Sequence, residues 1–193
     1  MSTLMEIKTK EPLNDDAQLA HQARTDADAF AELYRRHVTS VYRYHMAHTG
    51  DVKDAEDLTS QTFMAALEGI RSYRGTGSFA AWIMGIASRK RALFFRKSKP
   101  EAPLEAALHI PTPSLPTDKA AARRLQLEQV HHALKQISPE RAEALTLCFF
   151  GGLNSKEAGH VLGKSEAAIK MLISRGLNDL RTRTSLALEV MYE

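Results

Sequence analysis

Five of the seven prolines in this 193-residue chain fall between Pro100 and Pro116. Proline lacks the backbone donor and clashes with the preceding helical turn, so this density excludes a continuous helix and favours extended, solvated backbone. The residues on both sides follow helical periodicity, with little of the alternation that is typical of strands. The sequence therefore predicts an all-α protein of two small helical domains, separately folded and tethered by a solvated, proline-rich linker.

These patterns also give provisional boundaries along the chain. We expect an N-terminal tail with the start of the first helix over 1–27, a first domain over 28–97, the linker over 98–119, a second domain over 120–183, and a C-terminal tail over 184–193. Asp118 can cap the helix that follows the linker, and Ser138-Pro139 marks the start of another helix. In that later helix, Ala142, Leu145, Leu147 and Phe149 are the expected apolar positions.

Composition limits the compartment and the kind of site. The single cysteine, Cys148, excludes an internal disulfide and a cysteine-rich metal site, as is typical of a reducing compartment. No apolar run approaches the roughly 20 residues that cross a bilayer. The N-terminus, MSTLMEIKTKEPLNDD, lacks the apolar core of a signal peptide. These features predict a soluble cytoplasmic protein that makes no membrane contact of its own.

The stretch NSKEAGHVLGKSEAAIKMLISRGL, residues 154–177, has the layout of a helix-turn-helix. Asn154 and Glu157 can form a capping box, and Ser165 can cap the second helix. Small residues at 158, 159 and 163 fit a close helix crossing. In such motifs the second helix enters the DNA major groove. Ordinary helical hairpins imitate this pattern, so that reading stays open on this stretch alone. The outward face of the second helix would carry Ala167, Met171, Ser174, Arg175 and Asn178, flanked by Lys170 and Arg181.

Positive charge is concentrated just before the linker. Between Arg71 and Lys99 the sequence has eight basic residues and no acidic one. A solvated helix face normally mixes both signs, whereas surfaces that grip phosphates are basic and carry aromatic side chains. Aromatic residues are interleaved with this charge at positions 73, 79, 82, 94 and 95. We therefore interpret the segment as a nucleic-acid-binding surface, with a solvated helix face as the alternative.

The preceding helix, predicted from Val52 to Glu68, has the opposite character. Counting 100° per residue, its outward face carries acidic groups around two apolar side chains that are expected to be exposed. Its members are Asp54, Asp57, Leu58, Gln61, Met64 and Glu68. Acids surrounding exposed Leu and Met favour a protein-binding face, and a solvated helix with two stray apolar residues is the alternative.

Four segments of the chain together resemble a known family. In order they are DAEDLTSQTFMAAL, SFAAWIMGIASRKRALFFRK, ALKQISPERAEALTL and NSKEAGHVLGKSEAAIKMLISRGLNDLR. They are similar to the blocks of extracytoplasmic-function (ECF) sigma factors of the sigma-70 family. The resemblance covers roughly residues 28–97, as a region 2-like domain, and 120–183, as a region 4-like domain.

The resemblance implies that this chain gives core RNA polymerase its promoter specificity in transcription initiation. It also implies which residues would contact the polymerase and each promoter element. The acidic helix would bind the clamp helices of core polymerase through Asp54, Asp57, Leu58, Gln61, Met64 and Glu68. The flap of core polymerase would be a further contact. Loop 71–78 and the helix after it would capture and open the −10 promoter element through Arg71, Tyr73, Arg74, Ser78, Arg89, Lys90, Arg91, Arg96 and Lys97. The helix over 165–181 would read the −35 element through Ser165, Ala167, Lys170, Met171, Ser174, Arg175 and Arg181. We expect a monomer that associates with the nucleoid when it is bound to polymerase. An anti-sigma factor is a further candidate partner.

The chain also departs from the usual family pattern. Ser60-Gln61 stands where the family usually has glutamine followed by an acid, so one polymerase-facing acid is missing. Ser88 replaces a common asparagine in the third helix. Ala158-Gly159 replaces Ile-Ala, which would loosen helix packing at a cost on the order of 1 kcal/mol, and Gly176 replaces alanine.

Two other classes of function compete with this interpretation. A stand-alone helix-turn-helix regulator would explain the second domain but leaves the acidic and basic helices of the first without a role. An enzyme is disfavoured because His45 and His48, and the adjacent His131 and His132, lack a third ligand at metal-site spacing. The sequence also has no P-loop, GxGxxG or GxSxG. We therefore predict no catalytic residue, metal or cofactor, and interpret Cys148 as a small core residue.

Overall fold

The computed structural model describes residues 14–97 and 118–192, and every regular element in these two ranges is a helix. The elements are α1 (Asn14–Gln22), α2 (Ala27–Thr49), α3 (Val52–Gly69), a short 3-10 turn (Ile70–Ser72), α4 (Phe79–Lys97), α5 (Asp118–Leu134), α6 (Pro139–Phe149), α7 (Ser155–Leu162) and α8 (Glu166–Tyr192). The predicted all-α class with two helical domains is confirmed. Most of the predicted linker, 98–117, lies outside the described residues.

The turn between α2 and α3 depends on a glycine and an aspartate. Gly50 ends α2 in the left-handed conformation, with φ of 67°, which favours glycine. A Cβ on this glycine would also lie 2.4 Å from the His131 ring, so two constraints act on one position. Asp51 then caps α3 by accepting a hydrogen bond from the backbone of Asp54 at 3.0 Å.

The first domain packs α1 to α4 around a core that includes the buried side chains of Leu33, Val41, Tyr44, Phe79 and Ile83. The buried positions of α3 and of the residue after it recur at helical spacing: Ala55, Thr59, Thr62, Phe63, Ala66 and Ile70. Because of this 3.6-residue period, one stripe of α3 faces the core.

The second domain packs α6, α7 and α8 together, and its unusual small residues lie at the crossings. A Cβ on Gly159 would lie 2.6 Å from the Lys164 carbonyl oxygen, and one on Gly176 would lie 2.9 Å from Leu145 Cδ1. Glycine at both positions therefore fits contacts that are tighter than an ordinary Cβ allows. The apolar set predicted for α6 needs one correction, because Phe149 is 63% exposed in the last turn of that helix.

The two domains share buried apolar contacts. Leu147 of α6 and Leu153 belong to the same buried cluster as Ile83 and Met84 of α4. Ala47 of α2 in turn joins the cluster that holds Leu134 and Leu145. Domains tethered only by a solvated linker do not account for this arrangement. In the described residues the two halves are closed on each other through α2 and α4 on one side and α5, α6 and α7 on the other.

Candidate protein and nucleic-acid interfaces

The outward face of α3 combines acids with exposed apolar side chains. Met64 is 58% exposed, and Leu67, which sequence reasoning did not select, is 51% exposed. Glu68 is exposed, whereas Asp54, Asp57 and Gln61 are partly buried. Burial, followed by the charges of Asp51 and Asp57, raises the pKa of Asp54 above its ordinary value, as expected where negative charges crowd together. We call Asp54, Asp57, Gln61, Met64, Leu67 and Glu68 the acidic face.

Leu58 does not belong to this face. Its side chain is only 1% exposed, so the prediction that Leu58 is an exposed contact is wrong. Leu58 lies three residues after buried Ala55 and four before buried Thr62, so it is next to both on the helix surface and belongs to the edge of the buried stripe. Leu67 provides the exposed leucine instead.

Basic side chains follow the loop after the 3-10 turn and continue along α4. Arg71, Arg74, Arg89, Arg96 and Lys97 are exposed, and Lys90 is partly buried. Together with Ser78 and Arg91 they form what we call the −10 surface. A groove between α3 and α4 runs beside it, lined by the apolar side chains of Trp82, Ile86 and Leu93 next to Arg89 and Lys90. Aromatic and basic groups therefore share one concave surface, the chemistry that binds an unstacked strand.

The prediction that Tyr73 contacts the −10 element needs correction. Its side chain is 6% exposed, so it offers no free ring for stacking on a base in this structure. The ring contacts Phe79 and Trp82, and its hydroxyl donates to the Gly77 carbonyl at 2.7 Å. Arg24 donates to its backbone carbonyl at 2.9 Å. Burying this large apolar ring closes the end of the bundle, and Tyr73 thereby holds the loop that carries its basic neighbours.

The helix-turn-helix has the local geometry predicted for it. The Asn154 side chain accepts from the Glu157 backbone, and the Glu157 side chain accepts from the Asn154 backbone, both at 2.9 Å. Ser165 Oγ accepts from the Ala168 backbone at 3.2 Å and so caps α8. Buried Ile169 anchors α8 to the domain. The seven predicted −35 residues are all exposed: Ser165, Ala167, Lys170, Met171, Ser174, Arg175 and Arg181. We call these the −35 surface.

A cluster of polar side chains, which sequence reasoning missed, joins the two domains at Glu143 of α6. This residue is 4% exposed. Its Oε1 accepts from the Tyr44 hydroxyl at 2.6 Å and from Ser88 Oγ at 2.8 Å. Its Oε2 lies 3.0 Å from Arg91 Nη2 and 3.1 Å from His48 Nε2. We call Glu143, Tyr44, His48, Ser88 and Arg91 the Glu143 cluster. An acid among the apolar residues in the middle of α6 was the available signal for it.

Electrostatics in this cluster keep Glu143 charged. Burial alone would raise the pKa of its carboxyl, but the His48 hydrogen bond, the positive charge of Arg91 and the Tyr44 hydroxyl outweigh burial and lower that pKa to about 2. Burial lowers the pKa of His48 as well, which favours the neutral ring, so Arg91 carries the balancing charge. Nearby His45 is held neutral mainly by burial, with a pKa lowered to about 3.

A second polar contact between the domains lies at the −10 loop. Ser78 Oγ donates to the carboxylate of Glu157, the same side chain that completes the capping box of α7. Two members of the −10 surface, Ser78 and Arg91, thus already have carboxylate partners on the second domain.

No group of three or more potential metal ligands occurs among residues 14–97 and 118–192. Across the same part of the chain, no helix is both long enough and apolar enough to cross a membrane.

Comparison with known proteins identifies both halves. The model of Sigma-70 region 2 matches residues 33–100, and that of Sigma-70 region 4 matches residues 127–180. The ECF RNA polymerase sigma factor BldN of Streptomyces coelicolor is 34% identical over 80% of this chain and 60% of that protein. The chain thus spans about three fifths of the length of BldN. The ECF sigma factor SigM of Bacillus subtilis is 31% identical over 77% of this chain and 97% of that protein.

A solved structure shares the fold. The structure of CnrH, in complex with the cytosolic domain of CnrY, superposes with a TM-score of 0.68 at 23% identity. The match covers 89% of this chain and 98% of CnrH. The two region models, in order along the chain, and the near full-length match to SigM agree with each other. The chain therefore belongs to the extracytoplasmic-function sigma factors of the sigma-70 family.

Proposed function

We propose that this chain directs core RNA polymerase to specific promoters and assists promoter opening at the start of transcription. The observation that carries the proposal is the presence, on one chain of this family, of three separate surfaces of matching chemistry. The acidic face suits a protein partner, whereas the −10 and −35 surfaces suit nucleic acid. A regulator that binds duplex DNA alone has no use for the first two surfaces.

The acidic face is the proposed contact with the clamp helices of core polymerase. Met64 and Leu67 supply its exposed apolar area, and Asp54, Asp57 and Glu68 supply its negative charge. Charged groups at an interface set partner choice and association rate, while the apolar contacts supply most of the affinity. The flap of core polymerase is the proposed partner of the second domain.

The two surfaces would bind DNA in different ways. The −10 surface has several cations and an adjacent aromatic groove, which suits a separated strand that is held by phosphates and stacking. The −35 surface lies on one helix, as in motifs that read base edges in the major groove. Arg175 is exposed on this helix, and arginine can pair with guanine through two hydrogen bonds.

Other attributes follow from the proposed role. We propose a monomer that acts in the bacterial cytoplasm, associates with the nucleoid when bound to polymerase, and has no catalytic residue and no cofactor. An anti-sigma factor is also a proposed partner.

Transcription in vitro with purified core polymerase tests the proposal. Genomic fragments, including the region upstream of the gene for this protein, would be transcribed with and without the chain. We expect specific transcripts only when the chain is present. Promoter-length duplex bound tightly and specifically without polymerase, and no transcript with it, would favour the stand-alone regulator instead.

Charge reversal tests the acidic face separately. Asp57→Lys should weaken competition for core polymerase, because it places a positive charge on a negative surface. Asp28→Lys is the matched control, because Asp28 is exposed on α2, outside the acidic face. Equal competition by both variants and the unaltered protein would contradict the assigned face.

A further inference from the structure

We propose that Arg24 is a positioning residue for loop 71–78 of the −10 surface. Arg24 lies in the turn between α1 and α2, outside every surface assigned above, and holds the backbone of Tyr73 so that the loop can capture a separated DNA strand. The inference rests on the proposed function for the DNA and on the observed contacts for the positioning.

The turn that carries Arg24 is anchored to the core. Ala20 and Ala23, which precede Arg24, are 0% and 6% exposed and belong to the buried apolar cluster. The Ala23 backbone N–H donates to the Leu19 carbonyl at 2.8 Å, which continues the hydrogen bonding of α1 into the turn. The side chain of Arg24 therefore starts from a backbone that packing and hydrogen bonds hold in place.

Ion pairs between α1 and α2 add to this attachment. The carboxylate of Asp16 on α1 lies 2.7 Å from Nε2 of His37 and 3.1 Å from Nη1 of Arg36, both on α2. The same nitrogen of Arg36 lies 2.6 Å from the carboxylate of Asp15. Partly exposed pairs contribute little individually, and here they supplement the buried contacts of the turn. The helix α1 is thus a fixed support for the turn.

The guanidinium of Arg24 is bound to the loop. Its Nη2 donates to the Tyr73 carbonyl at 2.9 Å, between residues 49 positions apart. Its Nε is buried and has no hydrogen-bond partner among the described residues, so the group has lost hydration there. A charged donor makes a stronger hydrogen bond to a carbonyl than a neutral donor does. The bond to Tyr73 therefore compensates for the lost hydration.

Holding the Tyr73 carbonyl fixes the direction in which the loop leaves the helices. The Tyr73 carbonyl and the Arg74 N–H belong to one planar peptide group, so a bond to the oxygen orients the whole group. The Tyr73 hydroxyl donates to the Gly77 carbonyl at 2.7 Å, which ties the far side of the loop to the same residue. Residues 74–77 are exposed, and Gly75 turns the chain with φ of 69°. Arg24 therefore acts on the exposed part of the loop through the Tyr73 backbone.

Preorganisation of the loop links this contact to strand capture. A loop whose backbone is fixed before binding loses less conformational entropy when it binds, and so binds more tightly. The −35 surface lies on α8 and does not include this loop. Loss of the Arg24 contact should therefore weaken capture of the −10 strand and leave binding of the −35 duplex unchanged.

Fluorescence of Trp82 in the free, full-length protein tests the positioning. Trp82 is the only tryptophan of the sequence, is partly buried, and has its ring centroid 5.4 Å from that of Tyr73. Arg24→Met keeps an unbranched side chain but removes the donor. We expect its Trp82 emission to move to longer wavelength and its quenching by acrylamide to increase, because Tyr73 is held less firmly. Arg35→Met is the matched control, because the Arg35 side chain is 66% exposed on α2 and pairs with Glu32.

Binding of a separated strand tests the consequence. Polymerase assembled with each variant would be titrated with a labelled single strand that carries the −10 element and, separately, with a duplex that carries the −35 element. We expect Arg24→Met to weaken strand binding by about tenfold, the effect of one hydrogen bond from a charged group at the lower end of its range. Duplex binding by Arg24→Met, and both measurements with Arg35→Met, should match the unaltered protein.

Unchanged Trp82 fluorescence in a folded Arg24→Met would overturn the inference, even if strand binding weakened, because Arg24 would then be a direct phosphate contact. Altered fluorescence with unchanged strand binding would overturn it as well, and so would an equal loss of duplex binding. If Arg24→Met loses its helical circular dichroism, Arg24→Gln replaces it, with a polar side chain too short to hold the Tyr73 carbonyl. Unchanged fluorescence in that variant would overturn the inference.

The fluorescence measurement needs neither polymerase nor DNA. Its failure would leave the proposed function standing, and a failure to initiate transcription would leave the contact between Arg24 and the loop intact.

Discussion

The two surfaces that we propose bind DNA differ in how accessible they are. All seven residues of the −35 surface are exposed on α8. On the −10 surface, Ser78 and Arg91 contact carboxylates of the other domain, and Tyr73, expected there from sequence, is buried. One surface is therefore ready for a ligand, and the other is partly occupied by the chain itself.

The difference follows from how each surface is built. The −35 surface belongs to a single helix whose opposite face, anchored by Ile169, packs on its own domain. The −10 surface combines a loop with α4, and α4 also supplies Ile83 and Met84 to the buried cluster shared with the second domain. A helix that packs on two domains cannot keep all of its functional side chains free in the closed form.

Lowering the pH should have the largest effect, because it should destabilise the first domain, which carries the −10 surface. The pKa of His45 is lowered to about 3, mainly by burial, whereas an unfolded chain has the ordinary value of about 6.5. The unfolded state therefore binds more protons below pH 6.5, and stability is lost as the pH falls through that value. Between pH 8 and pH 4.5 we expect the free energy of unfolding to decrease by about 3 kcal/mol from this group.

Urea unfolding at several pH values measures this effect. His45→Gln keeps a donor for Thr62, whose hydroxyl lies 3.0 Å from His45 Nε2, and should flatten the pH dependence. The low pKa of His48 acts in the same direction, so some dependence will remain. An unchanged profile in His45→Gln would show that His45 does not titrate as argued.

The −35 surface allows base reading to be separated from phosphate binding. Arg175→Ala should relax the preference at one promoter position by about 1–3 kcal/mol, the value of a bidentate arginine–guanine pair. Lys170→Ala should instead weaken binding to all sequences alike and lower the salt slope by about 1. Lys170 lies one position before Met171 and pairs with Glu166 at 2.6 Å.

Binding of polymerase with this chain to single-base promoter variants, at several salt concentrations, distinguishes these roles. If Arg175→Ala lowers affinity equally for every variant, Arg175 is a phosphate contact and does not read a base.

Two glycines provide the smallest expected effects, one in α4 and one in α8. A Cβ on Gly85 of α4 would meet nothing within 4 Å, so Gly85→Ala should stabilise the fold by about 0.5–1 kcal/mol through helix propensity. Gly176 of α8 is packed against Leu145 and Arg141, so Gly176→Ala should gain less or lose stability. Thermal unfolding of both variants measures the difference, and an equal gain at the two sites would show that α8 is not tightly packed there.

The sequence predicted features that depend on local periodicity. The outward positions of Met64 and Glu68 on α3 and the capping box of Asn154 and Glu157 both follow from spacing within one or two turns. Leu58 was misplaced because it lies at the margin of the stripe, where a 100° count cannot decide between core and surface.

Contacts between distant residues were not predictable in this way. Tyr44 and Glu143 are 99 positions apart, and no periodicity links them. The sequence indicated two tethered domains, so it did not predict that α6 would be buried on several sides. For the same reason it did not predict the ion pair of Arg91 with Glu143 of the other domain.

The distance between the two domains tests most directly the claim that they are closed on each other in the free protein and apart in a transcribing complex. Dyes attached to cysteines in place of the exposed Thr39 and Gln136 should give high energy transfer in the free protein, because the two halves share buried contacts. In a complex with core polymerase and a promoter that carries both elements, transfer should be nearly lost, because one chain then spans about 85 Å of duplex. Transfer that stays high in complexes that make transcript would contradict the account.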